Sequence, residues 1–338
     1  MAPQPPLGRN PAAAKPGPKP PEPTGLNRKY LRIQDLRRLS RVAFAPRRRI
    51  EGLYAGRHAT PMRGQSIEFR DYRQYIPGDD VGGIDWKVYG RSDRLYIRLF
   101  EHQAEMTIHL LVDGSASMGY HGLSTRPAVK PRKGRRPPPL RTELSKFDQA
   151  CFLAAGLGFV LAKQHDRFSF GIAQQGLSSA RPPGNSLPHL VGILKTMEQT
   201  TPYGRSALPA AIRALAATAG RRDLLMVFSD LLDDRTALQE AFSSWLHRGG
   251  EVIVFQTLHE HELTLPDLEH GVFVDSETGA TIRLNVDDVR QEYESRITAF
   301  LQECRKGCGA RGIDYNLVST ADPYQKALER YLVNRASL

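Results

Sequence analysis

Cysteine is scarce in this 338-residue chain, long apolar runs are missing, and two segments have almost no acidic residues. Three cysteines, Cys151, Cys304 and Cys308, make no disulfide framework, which excludes the small cross-linked secreted folds and fits a reducing compartment. No apolar stretch approaches the ~18–20 residues that a membrane span needs. The N-terminal residues form no apolar signal core. A cytoplasmic protein is the expectation. The chain has no Gly-rich, Lys-bearing phosphate loop, so any ATP hydrolysis is expected of a partner. The run His259-Glu260-His261-Glu262, with His270 beyond it, lacks the H-E-x-x-H spacing that puts two imidazoles on one helical face. It reads as a solvated loop. Cys304 and Cys308 alone are too few ligands for a zinc site.

What is present is basic and unevenly placed. Net charge is +11. Residues 1–49 hold 12 Lys/Arg against Glu22 and Asp35, and residues 126–141 (RPAVKPRKGRRPPPLR) hold seven Lys/Arg and no acid. The remaining body is mildly acidic, and the basic appendages suit nucleic acid, anionic lipid or an acidic protein face.

Composition and periodicity divide the chain. Residues 1–25, with nine prolines, read as a disordered tail. Within 26–49, Leu26, Tyr30, Ile33, Leu36, Leu39 and Val42 fall at helical spacing, predicting a basic helix that packs on the body. Membrane-surface or partner binding is the alternative for it. Residues 50–106 read as a β-rich extension of short strands and tight turns. From 107 to 333, apolar strands alternate with helices, the pattern of right-handed βαβ units around a mostly parallel, doubly wound α/β sheet. A basic, Pro-rich insert at 119–145 interrupts this domain. Tolerated surface loop and electrostatic steering of an acidic partner are its two readings.

Ligands of open α/β sheets gather at the carboxyl ends of the strands. LLVDGSASMGY (110–120) ends an apolar strand in Asp113, with Ser115 and Ser117 after it. VFSDLLDD ends another in Asp230, and TPYGRSALPAAIRAL (201–215) offers Ser206 in a loop that opens a helix. Two carboxylates and three hydroxyls are hard oxygen donors, suited to Mg²⁺ or Mn²⁺ with retained waters. Ser115-Ala-Ser117-Met-Gly119 only partly matches a nucleophile elbow, and no helix follows at once.

The set Asp113-x-Ser115-x-Ser117, Ser206, Asp230 resembles the metal-ion-dependent adhesion site of von Willebrand factor A domains. The resemblance implies that Ser115 and Ser117 bind one divalent cation directly, and that Asp113 and Asp230 bind it directly or through water. Ser206 stands where that family has Thr. The cation would keep a position open for a partner's carboxylate. Residues 64–101 (GQSIEFRDYRQYIPGDDVGGIDWKVYGRSDRLYIRLFE) also resemble the signature of the domain-of-unknown-function-58 family. The matching positions include Arg73, Tyr75, Pro77, Gly78, Asp79, Asp80, Asp85, Trp86 and Arg91. That resemblance implies a von Willebrand A-like domain with a β-rich N-terminal extension. It also implies a MoxR-type AAA+ ATPase, or its client, as partner in assembly, chaperoning or metal insertion. Within the signature, Asp79, Asp80 and Asp85 with Arg73 and Arg91 are expected to form a buried ion cluster. Tyr75, Trp86 and Tyr96 are expected to form an aromatic patch; a second acidic metal or partner site is the alternative. The function expected is a non-enzymatic, metal-dependent protein-interaction module. A metal-dependent hydrolase or phosphoryl-transfer enzyme, or a nucleic-acid binder acting through the appendages, are the alternatives.

Overall fold

A computed structural model describes residues 28–40, 42–45, 53–55, 67–77, 81, 84–102, 106–122 and 144–336. The basic insert and the Pro-rich N-terminal stretch lie outside them, as do Gly78, Asp79 and Asp80. The described elements run α1 (Ile33–Leu39), β1 (Leu53–Ala55), β2 (Ile67–Gln74), α2 (Trp86–Ser92), β3 (Tyr96–His102), β4 (Thr107–Asp113), α3 (Lys146–Gln164), β5 (Arg167–Ala173), β6 (Leu177–Gly184) and α4 (Leu187–Gln199). They continue with α5 (Leu208–Thr218), β7 (Leu224–Ser229), α6 (Arg235–His247), β8 (Glu251–Leu258), α7 (Glu260–Leu263), β9 (His270–Val274), β10 (Thr281–Asn285), α8 (Val286–Gly309), β11 (Asp314–Ser319) and α9 (Tyr324–Ala336).

Six strands form the main sheet in the order β11-β8-β7-β4-β5-β6. All pairs are parallel except β5 with the edge strand β6. This is the doubly wound α/β sheet expected. Both faces are covered, which is why β4 (TIHLLVD) is buried along its whole length rather than alternating. Ile108, Leu110 and Val112 enter one core with α3, α4 and α9, and Leu111 enters the other with α5 and α6. After β4 the chain winds outward through β5 and β6, then returns to β7 on the other side of β4 and winds outward through β8 and β11. The order therefore reverses between β4 and β7. The crevice at their carboxyl ends is where such sheets bind ligands.

Helix α3 follows from an apolar sequence capped by Ser145, whose side chain accepts from the Asp148 amide. It lies close to its neighbours because two positions lack a side chain. A Cβ at Gly156 would stand 2.6 Å from a Leu328 methyl of α9, and one at Gly158 would stand 2.9 Å from Leu190 of α4.

The N-terminal segment differs from the expected long helix. Among the described residues of this segment only Ile33–Leu39 is helical, preceded by a bridge between Arg28 and Leu31. Tyr30, Leu31, Leu39 and Phe44 are nevertheless buried in the core that α3 and α9 share.

The signature region folds as the antiparallel sheet β1-β3-β2, with α2 between β2 and β3 in sequence. Asp79 and Asp80, two members of the ion cluster expected there, lie outside the described residues, so the described residues show only parts of that cluster and of the aromatic patch. Arg91 is exposed, Trp86 is 63% exposed, and Arg73 and Tyr75 are half-buried. Asp85 is half-buried and caps α2, accepting from the Lys87 and Val88 amides and from the Tyr72 hydroxyl. The ring pairs are Tyr72–Tyr96 and Trp86–Tyr89, at centroid distances of 6.2 and 6.1 Å. Pro77 is exposed beside the Tyr75 backbone, whose amide donates to Leu95. Helix α2 is short and exposed, so Trp86 and Arg91 on it meet solvent.

Candidate metal centre

The end of β4 turns sharply. Asp113 accepts the Ser115 amide on Oδ1 at 2.9 Å, so the turn that follows the strand is tied to the carboxylate it follows. Ser115 and Ser117 then bring their hydroxyl oxygens within 3.1 Å of each other. A single 3-10 turn, Ala116–Gly119, holds this spacing, and buried Met118 anchors it.

Ser206 arrives from the loop between α4 and α5, aligned by backbone pairing. The Tyr203 amide donates to Gly114 at 3.0 Å and the Ala116 amide donates to Gly204 at 2.9 Å. Gln174, at the end of β5, donates from Nε2 to both Gly114 and Thr201 carbonyls and clamps the two loops together. Gly204 takes φ +73, which a glycine adopts without strain. The Ser206 hydroxyl then stands 3.4 Å from Asp113 Oδ2. Asp230, one residue past β7, is fully buried, and its backbone carbonyl accepts from Gln256. The structure thus brings Asp113, Ser115, Ser117, Ser206 and Asp230 to one crevice. Asp113, Ser115 and Asp230 lie deep, while Ser117 and Ser206 reach the half-exposed rim.

Two carboxylates buried together repel. Burial, then the nearby Asp230 charge, pushes the Asp113 carboxyl up to about 6, against hydrogen bonds from Ser229 and Ser115. Among the described residues no group of three or more His, Cys, Asp or Glu side chains closes on one point. Any cation here would therefore depend on the hydroxyls to complete its shell, the donor chemistry that suits Mg²⁺ or Mn²⁺.

Three participants were not picked out from the sequence. Ser229 donates its hydroxyl to Asp113 Oδ2 at 2.6 Å and accepts the Leu231 amide. Its position directly before Asp230 was the available signal. Lys146, fully buried at the start of α3, donates to Asp230 Oδ2 at 2.8 Å and to Glu262 Oε1 at 2.6 Å. Burial alone would pull the Lys146 ammonium down, but Asp230 and Glu262 outweigh it and its pKa is raised. One lysine opening an otherwise apolar helical run was the signal missed. Glu262 corrects the reading of 259–262 as a solvated loop. His259 is buried and caps α7 in a reciprocal capping box with Glu262, whose carboxylate then faces Lys146. His121, next to the turn in sequence, points Nδ1 at the Gly119 carbonyl, 3.1 Å away.

The chain is similar to several known proteins. The uncharacterized protein Rv1480 of Mycobacterium tuberculosis is 24% identical over 271 residues, covering 78% of this chain and 79% of that protein. The crystal structure of the conserved hypothetical protein BatB from Bacteroides thetaiotaomicron aligns at 14% identity and TM-score 0.41, covering 69% of this chain and all of that one. A von Willebrand factor type A structure from Catenulispora acidiphila aligns at 11% identity and TM-score 0.36, over 70% of this chain and 43% of that one. The sequence pattern described as "Protein of unknown function DUF58" matches residues 71–130 and 140–302, most of the chain, which therefore belongs to the DUF58 family.

Proposed function

We propose that this protein is an interaction module that holds Mg²⁺ or Mn²⁺ at the β4/β7 crevice and presents it to an acidic side chain of a protein partner. The observation that carries the proposal is the convergence of Asp113 and Asp230 with the hydroxyls of Ser115, Ser117 and Ser206, from three separate loops, on one strand-end crevice. Ser115, Ser117 and Ser206 would hold the cation through hydroxyl oxygens, and Asp113 and Asp230 directly or through water. Bound there, the cation supplies a positive charge able to take one more carboxylate. The chain's own residues prepare that position. Ser229 fixes the orientation of Asp113, Lys146 fixes that of Asp230, and the Gly114–Tyr203 pairing sets the reach of Ser206. The family resemblance favours a MoxR-type AAA+ ATPase or its client as partner. A hydrolase or phosphotransferase built on the same cation would need a general base in reach of its water. His121, next to the turn in sequence, is turned to a backbone carbonyl, and Glu277 at the rim has one carboxylate oxygen taken by the Ser206 amide.

Isothermal titration with Mg²⁺ and Mn²⁺, on wild type and Asp113→Ala, tests the site. Saturable binding by wild type that Asp113→Ala abolishes supports it. Titrating a MoxR-type ATPase onto the protein in Mg²⁺ and in EDTA then tests the partner. Association indifferent to both EDTA and Asp113→Ala would sink the metal-bridged reading and leave the basic appendages as the leading surface.

A further inference from the structure

The turn between β9 and β10 reaches the same crevice from a distant part of the chain. Glu277 Oε1 accepts the Ser206 amide at 3.2 Å, across 71 residues of sequence. The turn is ordered so as to present this carboxylate. Asp275 accepts the Glu277 and Thr278 amides on Oδ1, at 2.8 and 3.3 Å, and the Thr278 hydroxyl on Oδ2 at 2.6 Å. The Asp275 amide donates to Ala280 and the Gly279 amide to Asp275, both at 2.8 Å, with Gly279 at φ +73.

We propose that Glu277 is the residue that controls access to the cation, an internal carboxylate standing at the position a partner's acidic side chain must take. The proposal rests on the reading of the crevice as a divalent-cation site. Glu277 is not one of the basal ligands, because its carboxylate is held by the Ser206 amide at the rim. One oxygen is on that amide, and the other, which has no hydrogen-bond partner among the described residues, is left to take the cation's free position. Acidic partners then compete with a tethered carboxylate, so the protein discriminates against weak or lone acids. Only a partner that also engages other surface displaces the turn. The cost is the one any ligand meets when its receptor is mostly closed: apparent affinity falls by the fraction of open sites.

The test uses Mn²⁺ bound to the full-length protein, water-proton relaxation to count its exchangeable waters, and acetate as the carboxylate probe. All titrations run at one high ionic strength, which screens a simple field effect of the lost charge. Wild type, Glu277→Ala and Asp113→Ala are compared, with melting curves to show that each is folded. Glu277→Ala is expected to retain Mn²⁺, to show more exchangeable water on it, and to yield that water to acetate at about tenfold lower concentration than wild type. Identical relaxation and acetate response in wild type and Glu277→Ala would overturn the role of Glu277 and leave the cation site standing. Absence of Mn²⁺ binding in wild type, or binding undiminished in Asp113→Ala, would overturn the site and this proposal together.

Discussion

Lys146 is the residue on which the electrostatics of the crevice turn. It sits between Asp230 and Glu262 with no exposed side-chain surface. Removing one member of such a buried set strands the other charges, at a cost of about 3–5 kcal/mol. Lys146→Met keeps the length and apolar stem of the side chain, so the loss it produces is charge rather than volume. Urea denaturation in EDTA should show a destabilisation of that size. Mg²⁺ should then raise the melting temperature of Lys146→Met more than that of wild type, because the cation replaces part of the missing positive charge beside Asp230. A variant as stable as wild type in EDTA would mean that the triad is solvated and does not organise the site. The candidate ligands themselves were readable because carboxylates and hydroxyls at the ends of apolar strands stand out against their surroundings. Lys146, Ser229 and Glu277 were not, because what matters about each is a partner more than 70 residues away. No local pattern encodes such a pairing.

The elements divide in the same way. Strands β4, β5, β7 and β8 and helices α3, α4 and α6 follow from apolar runs and caps that need only nearby sequence, and their alternation implies the mostly parallel pairing, while the strand order itself is set by contacts distant in sequence. Strand β6 (LSSARPPG) did not, since two prolines and a run of five exposed residues conceal an antiparallel edge strand, the place where proline is tolerated in a sheet. Helix α2 was hidden among turn residues, and its start depends on a cap: Asp85→Ala should cost about 1 kcal/mol in chemical denaturation, with Asp85→Asn close to neutral. Equal losses from both would mean that Asp85 acts through its charge, as the buried-cluster expectation required. Gly156 tests how tightly α3 is held. Alanine there gains about 1 kcal/mol of helix propensity, but its Cβ would stand 2.6 Å from a Leu328 methyl. Overpacking a dense core costs about 1–3 kcal/mol. The second effect should win, and Gly156→Ala should be less stable than wild type by denaturant titration. A more stable variant would show that α9 yields freely.

Over the whole molecule, two long-range ties hold the layers in place. The first is polar and spans the amino ends of three strands. His109 of β4 bridges Ser169 of β5 at 2.7 Å and Asp223, just before β7, at 3.0 Å, while Asp223 also accepts the Thr107 and Gly220 amides. Burial alone would raise the Asp223 carboxyl, but the His109 hydrogen bond and the two amides outweigh it and its pKa is lowered. A carboxyl whose folded pKa lies below its unfolded value adds stability above the unfolded pKa, near 3.8, and loses it as pH falls through the folded one. Wild type should therefore lose stability on acidification through that window, and Asp223→Asn should lose less over the same range; parallel curves would remove Asp223 from the account. The second tie is the strap of residues 28–45. Arg28 meets Glu198 of α4 at 2.8 Å, the Tyr30 hydroxyl donates to Asp148 of α3, Gln164 and Phe44 exchange hydrogen bonds, and Arg335 of α9 donates to the Ala45 carbonyl. Between these polar stitches Leu31 and Leu39 are fully buried. An amphipathic appendage that waits for a membrane would lose nothing by having its leucines trimmed. A strap that completes the core would lose about 2–5 kcal/mol for each, as any buried leucine does. Leu31→Ala and Leu39→Ala, each followed by denaturant unfolding, should fall in that second range, which would make the basic segment part of the body that carries the strand-end crevice. Losses near zero would return it to the role of a free, partner-seeking helix.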